Sequence, residues 1–187
     1  MRAGCYLRVS SDEQARGMGP DMQRTRYRPD AIPKEVLQRV LDAARVAPSA
    51  GNGQPTRMIV VTKPEARQRL AEMCGNQEFI AEAPVVIVAC GLQMNLTSGK
   101  TMEPRVLIDG SISVDHLTLA ARAEGLGTCW IGVVGSQEIK RYLGLPEDTD
   151  VVGVTPLGYP KGDPFREPGP RISLDEFIRR EVWAGGG

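Results

Sequence analysis

From Pro33 onward the apolar positions fall into two alternating rhythms. Val36, Leu37, Val40, Leu41 and Ala44 recur at helical spacing, with Pro33 placed for a first helical turn and Pro48 stopping the run. Met58 to Thr62 is short and β-branched between Pro55 and Pro64, which predicts a strand. A second helix starts at Pro64 and turns Leu70 and Met73 inward. Val85 to Cys90 is a continuous apolar run, the pattern of a strand covered on both faces. Residues 91 to 104 are polar and bounded by Gly and Pro, as in a loop. Residues 105 to 124 carry apolar and small residues on most sides of a helix, which places that helix centrally or in a subunit interface. Gly125 and Gly127 stop it. A strand follows from Thr128 to Val134, then a short helix capped by Ser136 and ended by Gly144, then a fourth strand within Asp150 to Pro160. The tail is rich in Pro and Gly after Lys161 and helical from Leu174 to Trp183. No internal repeat is visible. Helices and strands alternate, so the fold class is α/β or α+β with four or five strands.

Composition narrows the function more than the fold. The 187 residues fit one domain with a sizeable core. Lys+Arg and Asp+Glu both number 23, so no broad field for nucleic acid or an anionic membrane is present. The one basic stretch, Arg24 to Arg28, is suited to a single phosphate group and equally to a solvated face. Cys5, Cys74, Cys90 and Cys129 are far apart, with no Cys-x-x-Cys pair and no cluster around the single His116, which argues against zinc and redox-pair chemistry. No apolar run approaches the ~20 residues of a membrane span and no signal-peptide pattern opens the chain, so a cytoplasmic location is expected.

Two motifs mislead. Ser98-Gly-Lys-Thr101 follows a buried-looking strand, but a phosphate-binding loop needs a glycine five positions before Gly99, and Met94 stands there. Gly125-Leu-Gly127 lacks the third glycine of a dinucleotide fingerprint, since Trp130 occupies that place. The opening piece is different in kind. Tyr6-Leu-Arg-Val-Ser-Ser-Asp-Glu-Gln14, continuing to Gln23, resembles the first strand and turn of a serine recombinase catalytic domain, with Ser10 matching the nucleophile and Arg8 an arginine that offsets phosphate charge. The resemblance ends near residue 24, and a hydroxyl without the rest of its electrostatic site contributes little. Residues 1–24 are therefore expected to be an N-terminal arm, and residues 25–187 the domain.

Five segments in order carry a second resemblance. They are Tyr27-Arg-Pro-Asp-Ala-Ile-Pro33, Ala43 to Pro55 with its Pro48-Ser-Ala-Gly-Asn-Gly-Gln-Pro55 core, Ala83-Pro-Val-Val-Ile-Val88, Leu119 to Gly132, and Leu143 through Pro160; Arg171-Ile-Ser-Leu-Asp-Glu-Phe177 closes the series. Together they resemble the short branch of the FMN-dependent nitroreductase family. That resemblance implies an α+β three-layer sandwich whose central, mostly antiparallel sheet of four or five strands is flanked by helices. It also implies a homodimer with FMN at its interface, and an NAD(P)H-dependent oxidoreductase acting on nitroaromatics, quinones or similar acceptors. Related chemistries stay open: reductive dehalogenation, flavin destruction, or an FMN-deficient, non-catalytic dimer.

The same resemblance nominates cofactor-binding residues. Pro48, Ser49, Ala50, Asn52 and Gln54 would reach the polar edge of a flavin bound mainly by the partner subunit. Small residues let backbone approach the ring, and the three polar side chains offer hydrogen bonds, although they would also serve as a polar turn that caps its own backbone. Asn76 and Gln77 fall where relatives place a polar contact to the ring, or simply at a helix end. The backbone of Ile131 and Gly132 would lie over the flavin. The phosphate end departs from the family pattern Arg-Arg-Ser-x-Arg-x-aromatic. Counting back from Tyr27 without gaps sets Thr25 at the last arginine, Gln23 at the serine and Met22 at an arginine. A gap of one or two residues brings Arg24, Thr25 and Arg26 near it. Arg171 matches a basic residue near the family's C-terminus. Trp130 and His116 are expected in structural roles, and no side chain is assigned acid/base work.

Overall fold

The computed structural model describes residues 27–93, 103–132, 135–162 and 172–183. The arm 1–24 and the phosphate candidates Arg24, Thr25, Arg26 and Arg171 lie outside the described residues.

The chain orders its elements as α1 (Lys34–Arg45), a short 3-10 turn (Ala50–Asn52), β1 (Thr56–Val61), α2 (Pro64–Met73), α3 (Phe79–Glu82), β2 (Val85–Leu92), α4 (Glu103–Ala123), β3 (Gly127–Thr128), α5 (Ser136–Leu143), β4 (Thr149–Gly158) and α6 (Leu174–Phe177). The four strands lie in the order β1-β2-β4-β3, and every pair is antiparallel. This settles the class as α+β.

The apolar run of β2 is explained by its two neighbouring layers. Val86, Val88 and Cys90 face Leu70, Ile80 and Ile139 of α2, α3 and α5. Val85 and Ile87, on the opposite face, meet Val40 of α1 and Leu117 of α4. Strand alternation thus gives one sheet two buried faces, and the molecule three layers. The outer helix layer on the α4 side sits unusually close to the sheet. A Cβ on Gly91 would overlap the Val106 side chain, and one on Gly110 would come within 2.7 Å of Val152 Cγ2.

Tyr27, buried at the start of the described chain, bridges to Pro160 and stacks under the end of β4, where a Cβ on Gly158 would be 3.0 Å from its ring. The first and fifth resembling segments therefore meet in space.

Four sequence expectations need correction. Among the described residues, the strand expected over Thr128 to Val134 is Gly127–Thr128 plus a bridge in which Ile131 and Val154 exchange backbone hydrogen bonds of 2.8 and 3.0 Å, and residues 133–134 lie outside the described residues. In that register Cys129 stands opposite Pro156, whose missing N–H falls on the β3 side, so the ladder breaks there. Ser136 does not cap α5; Gly135 does, at φ 67°, because a Cβ there would run into the Met73 carbonyl. Pro33 precedes α1 with φ −55° and ψ 142° instead of entering its first turn. The C-terminal helix stops at Phe177, with Ile178 extended. Its start is held by a Ser173–Glu176 capping box, but every residue from 172 to 183 is exposed, and among the described residues nothing buries a longer helix.

Candidate functional site

The Pro48-to-Gln54 segment is a preformed and strained turn. Gly51, Asn52 and Gln54 all take left-handed backbone, at φ 59°, 55° and 50°. Glycine does so freely and asparagine tolerably, while a glutamine there costs about 1–3 kcal/mol that the surroundings must offset. The turn is closed by its own polar atoms. Ser49 Oγ accepts from the Gln54 amide at 3.0 Å, and Gln54 Nε2 donates to Asn52 Oδ1 at 3.2 Å. Arg57 Nη1 donates to the Gln54 and Thr56 carbonyls at 2.9 and 2.8 Å, fixing the exit into β1. The reading of these residues as a self-capping polar turn is thus correct as far as it goes. Each side chain nevertheless keeps capacity toward a ligand: the Ser49 hydroxyl proton, the Asn52 NH2 donors and the Gln54 carbonyl oxygen. Pro48, Ala50, Asn52 and Gln54 are exposed and Ser49 half-buried.

A cavity of about 330 Å3 opens against this turn, lined among others by Ser49, Gln54, Arg57, Met58, Ala44 and Ser113. The backbone carbonyl of Ala44 accepts from Ser113 Oγ at 3.1 Å, and the Ala50 amide donates to both carboxylate oxygens of Asp109 at 3.2 Å. Neither Asp109 nor Ser113 stands out in the sequence. Their signal is a polar pair four residues apart in a mostly apolar helix, which reads as a solvent face until the buried side of α4 is known.

The other candidates gather at a different end. Asn76 follows α2 with φ 57°, directly after Gly75 at φ 79°. Its side chain makes no hydrogen bond among the described residues and is exposed. Gln77 instead donates through Nε2 to the Cys74 carbonyl at 2.6 Å and so closes the end of α2. The close approach of Gly135 to the Met73 carbonyl places Gly135 at this same helix end, three residues on from Gly132. Ile131 is buried in the core, whereas a Cβ on Gly132 would meet nothing within 4 Å. Among the described residues nothing blocks the position of a Cβ at Gly132. Two clusters result, the Ser49–Gln54 turn and the Asn76/Gly132 end, and no described contact joins them within one chain.

The remaining expectations find structural settings. His116 Nδ1 lies 3.0 Å from the Ile112 carbonyl, one turn back in its own helix. Trp130 packs against a small core cluster, its indole close to Gly153. Cys74, Cys90 and Cys129 are buried, and among the described residues none forms a disulfide. Burial pushes the Cys74 thiol up to about 12 and the Cys90 thiol up to about 11, away from nucleophilic use at neutral pH.

A model of the nitroreductase family matches residues 22–77 and 71–159, and the chain belongs to that family. Among its relatives, an Archaeoglobus fulgidus protein named provisionally as an NADH dehydrogenase/NAD(P)H nitroreductase is 34% identical over 162 residues, covering 84% of this chain and 91% of the relative. The FMN reductase [NAD(P)H] of Bacillus subtilis is 28% identical over 173 residues, covering 84% and 69%. Of solved structures, NfrA2 of B. megaterium superposes with a TM-score of 0.75 at 28% identity, covering 88% of this chain and 72% of that one.

Proposed function

We infer that the protein is an FMN-dependent oxidoreductase that draws on NADH or NADPH and reduces nitroaromatics, quinones or similar acceptors. The observation that carries this is the match to the nitroreductase family over residues 22–159, joined to a strained polar turn beside an open cavity. The relatives named FMN reductase and NADPH-flavin oxidoreductase support the cofactor pair.

The residues present fit a flavin. Bound FMN would supply the two-electron carrier between nicotinamide and acceptor. The chain's own contribution is position: Ser49, Asn52 and Gln54 present unused donors and acceptors to the polar edge, with Pro48 and Ala50 shaping the turn. Asn76 offers a further contact, and Gly132, beside buried Ile131, leaves room for a stacked ring. Gln77 acts through the helix end. Arg24, Thr25, Arg26 and Arg171 are proposed for the phosphate, where fixed guanidinium charge is needed.

Because the two clusters stay apart in one chain, we place them on opposite subunits of a homodimer, with two sites at the interface. The outer side of α4 supports this: Leu107, Ile108 and Leu119 are 45%, 56% and 53% exposed on one central helix. The family match begins at residue 22, which supports a domain of residues 25–187 preceded by an arm of residues 1–24. No Ser10-dependent attachment to DNA is expected of that arm. Among the described residues no helix is long and apolar enough to cross a membrane. Buried cysteines outside any disulfide among the described residues suit a reducing compartment, and we place the protein in the cytoplasm.

A second reading has its own support. A 5,6-dimethylbenzimidazole synthase of Rhodospirillum rubrum is 29% identical over 161 residues, so identity alone does not separate reductase from synthase chemistry. Assaying NADH and NADPH oxidation with a nitroaromatic and a quinone, while recovering the flavin afterwards, distinguishes them. Acceptor-dependent turnover with intact FMN is expected; consumption of FMN without acceptor reduction would favour the second reading.

A further inference from the structure

Asp109 is buried on α4, 6% exposed, and among the described residues no cation pairs with it. A carboxylate placed there without compensation is unfavourable, and its one described donor is the amide of Ala50, shared between both oxygens at 3.2 Å. One helical turn further along α4, Ser113 donates to the Ala44 carbonyl. The two side chains share a face of α4, and they hold the chain between the last turn of α1 and the start of the 3-10 turn. The stretch between them, residues 45–49, has no other described tie to α4.

The aim of that face is itself fixed. Gly110, beside Asp109, lets α4 settle onto Val152 of β4, and Gly91 of β2 does the same for Val106. Any side chain at either glycine would lift the helix, and with it the carboxylate. The left-handed residues that follow Ala50 need a surrounding that over-determines them, and Asp109 is the only α4 side chain described as bonded to that turn.

From this geometry we propose that Asp109 is a positioning residue, which holds the Pro48–Gln54 turn in its ligand-ready shape before any cofactor arrives, with Ser113 anchoring the other end. It touches no reacting atom; it acts through the Ala50 amide. The consequence for the cofactor rests on the flavin reading above, whereas the consequence for the turn does not.

Hydrogen exchange and FMN titration on the full chain test it together, in wild type, Asp109→Ala and Asp109→Asn. A lost bond to a charged acceptor predicts, in Asp109→Ala, amide exchange at Ala50, Asn52, Gly53 and Gln54 faster by about tenfold or more, with the β2–β4 ladder unchanged. FMN dissociation should weaken by a similar factor. Asp109→Asn keeps one acceptor oxygen and should recover most of both losses. Unchanged exchange in the turn, equal acceleration across the β2–β4 ladder, or an asparagine variant no better than alanine would each overturn the proposal. If wild type binds no FMN yet Asp109→Ala still loosens the turn, the flavin reading fails and the positioning role stands. If wild type binds FMN and Asp109→Ala binds it equally well, the positioning role fails alone.

Discussion

Single residues here divide into those that build the turn and those left free by it. Asn76 and Gln77 adjoin in sequence but differ in use, since the Gln77 amide caps the Cys74 carbonyl while Asn76 has no described partner. Gln77→Ala should therefore lower unfolding stability by about 1 kcal/mol and leave FMN affinity nearly unchanged. Asn76→Gly, which keeps the left-handed backbone, should do the reverse in the same two measurements. Gly135 is under two constraints, a φ of 67° and contact with the Met73 carbonyl. Gly135→Ala should cost about 1–3 kcal/mol in urea unfolding. The buried thiols make a pH prediction. Cys74 is held protonated to about 12 in the folded state against an ordinary value of 9.0. Above pH 9 the unfolded chain loses that proton first, so the stabilisation present below 9 is lost progressively toward 12. Unfolding midpoints should fall over that window, and Cys74→Ala should flatten part of the fall.

At the scale of elements, the central helix α4 organises both the sheet and the site. Leu117 is fully buried between it and β2, in the cluster that includes Val40 and Ile87. Leu117→Ala should cost about 2–5 kcal/mol by denaturant titration, and a loss below 1 kcal/mol would mean that the α4 layer is not the packing element described. Most of the element order was legible because period-3.6 and period-2 patterns are set by which face is buried. The failures have local physical causes. Pro156 silences one hydrogen bond and truncates β3, a cross-strand effect that no pattern along β3 itself reveals. The four residues of α3 are too few to show a period. Leu174 to Trp183 has helical composition but is exposed throughout, with no burial among the described residues to sustain a helix. The turn at Pro48–Gln54 was legible as a turn because its residue types are so restricted. Asp109 and Ser113 were not, since their importance depends on which side of α4 meets the turn.

For the whole molecule, the proposed placing of the two residue clusters on opposite subunits makes oligomeric state a test of the site. Ile108→Glu on the exposed side of α4 should shift a dimer toward monomer in sedimentation and weaken FMN binding with it. A variant that stays dimeric would place the interface elsewhere. Replacing Arg24, Arg26 or Arg171 by alanine should locate the phosphate contact by loss of FMN affinity, and no loss in any of the three would refute that assignment. Whether this fold holds FMN is read from the visible absorbance of the purified full chain, before and after adding FMN and removing the unbound excess. Flavin bands should be retained with about one FMN per chain, the ratio expected of the proposed two sites per dimer. A protein that is colourless as purified and retains no flavin after the addition would contradict the flavin reading.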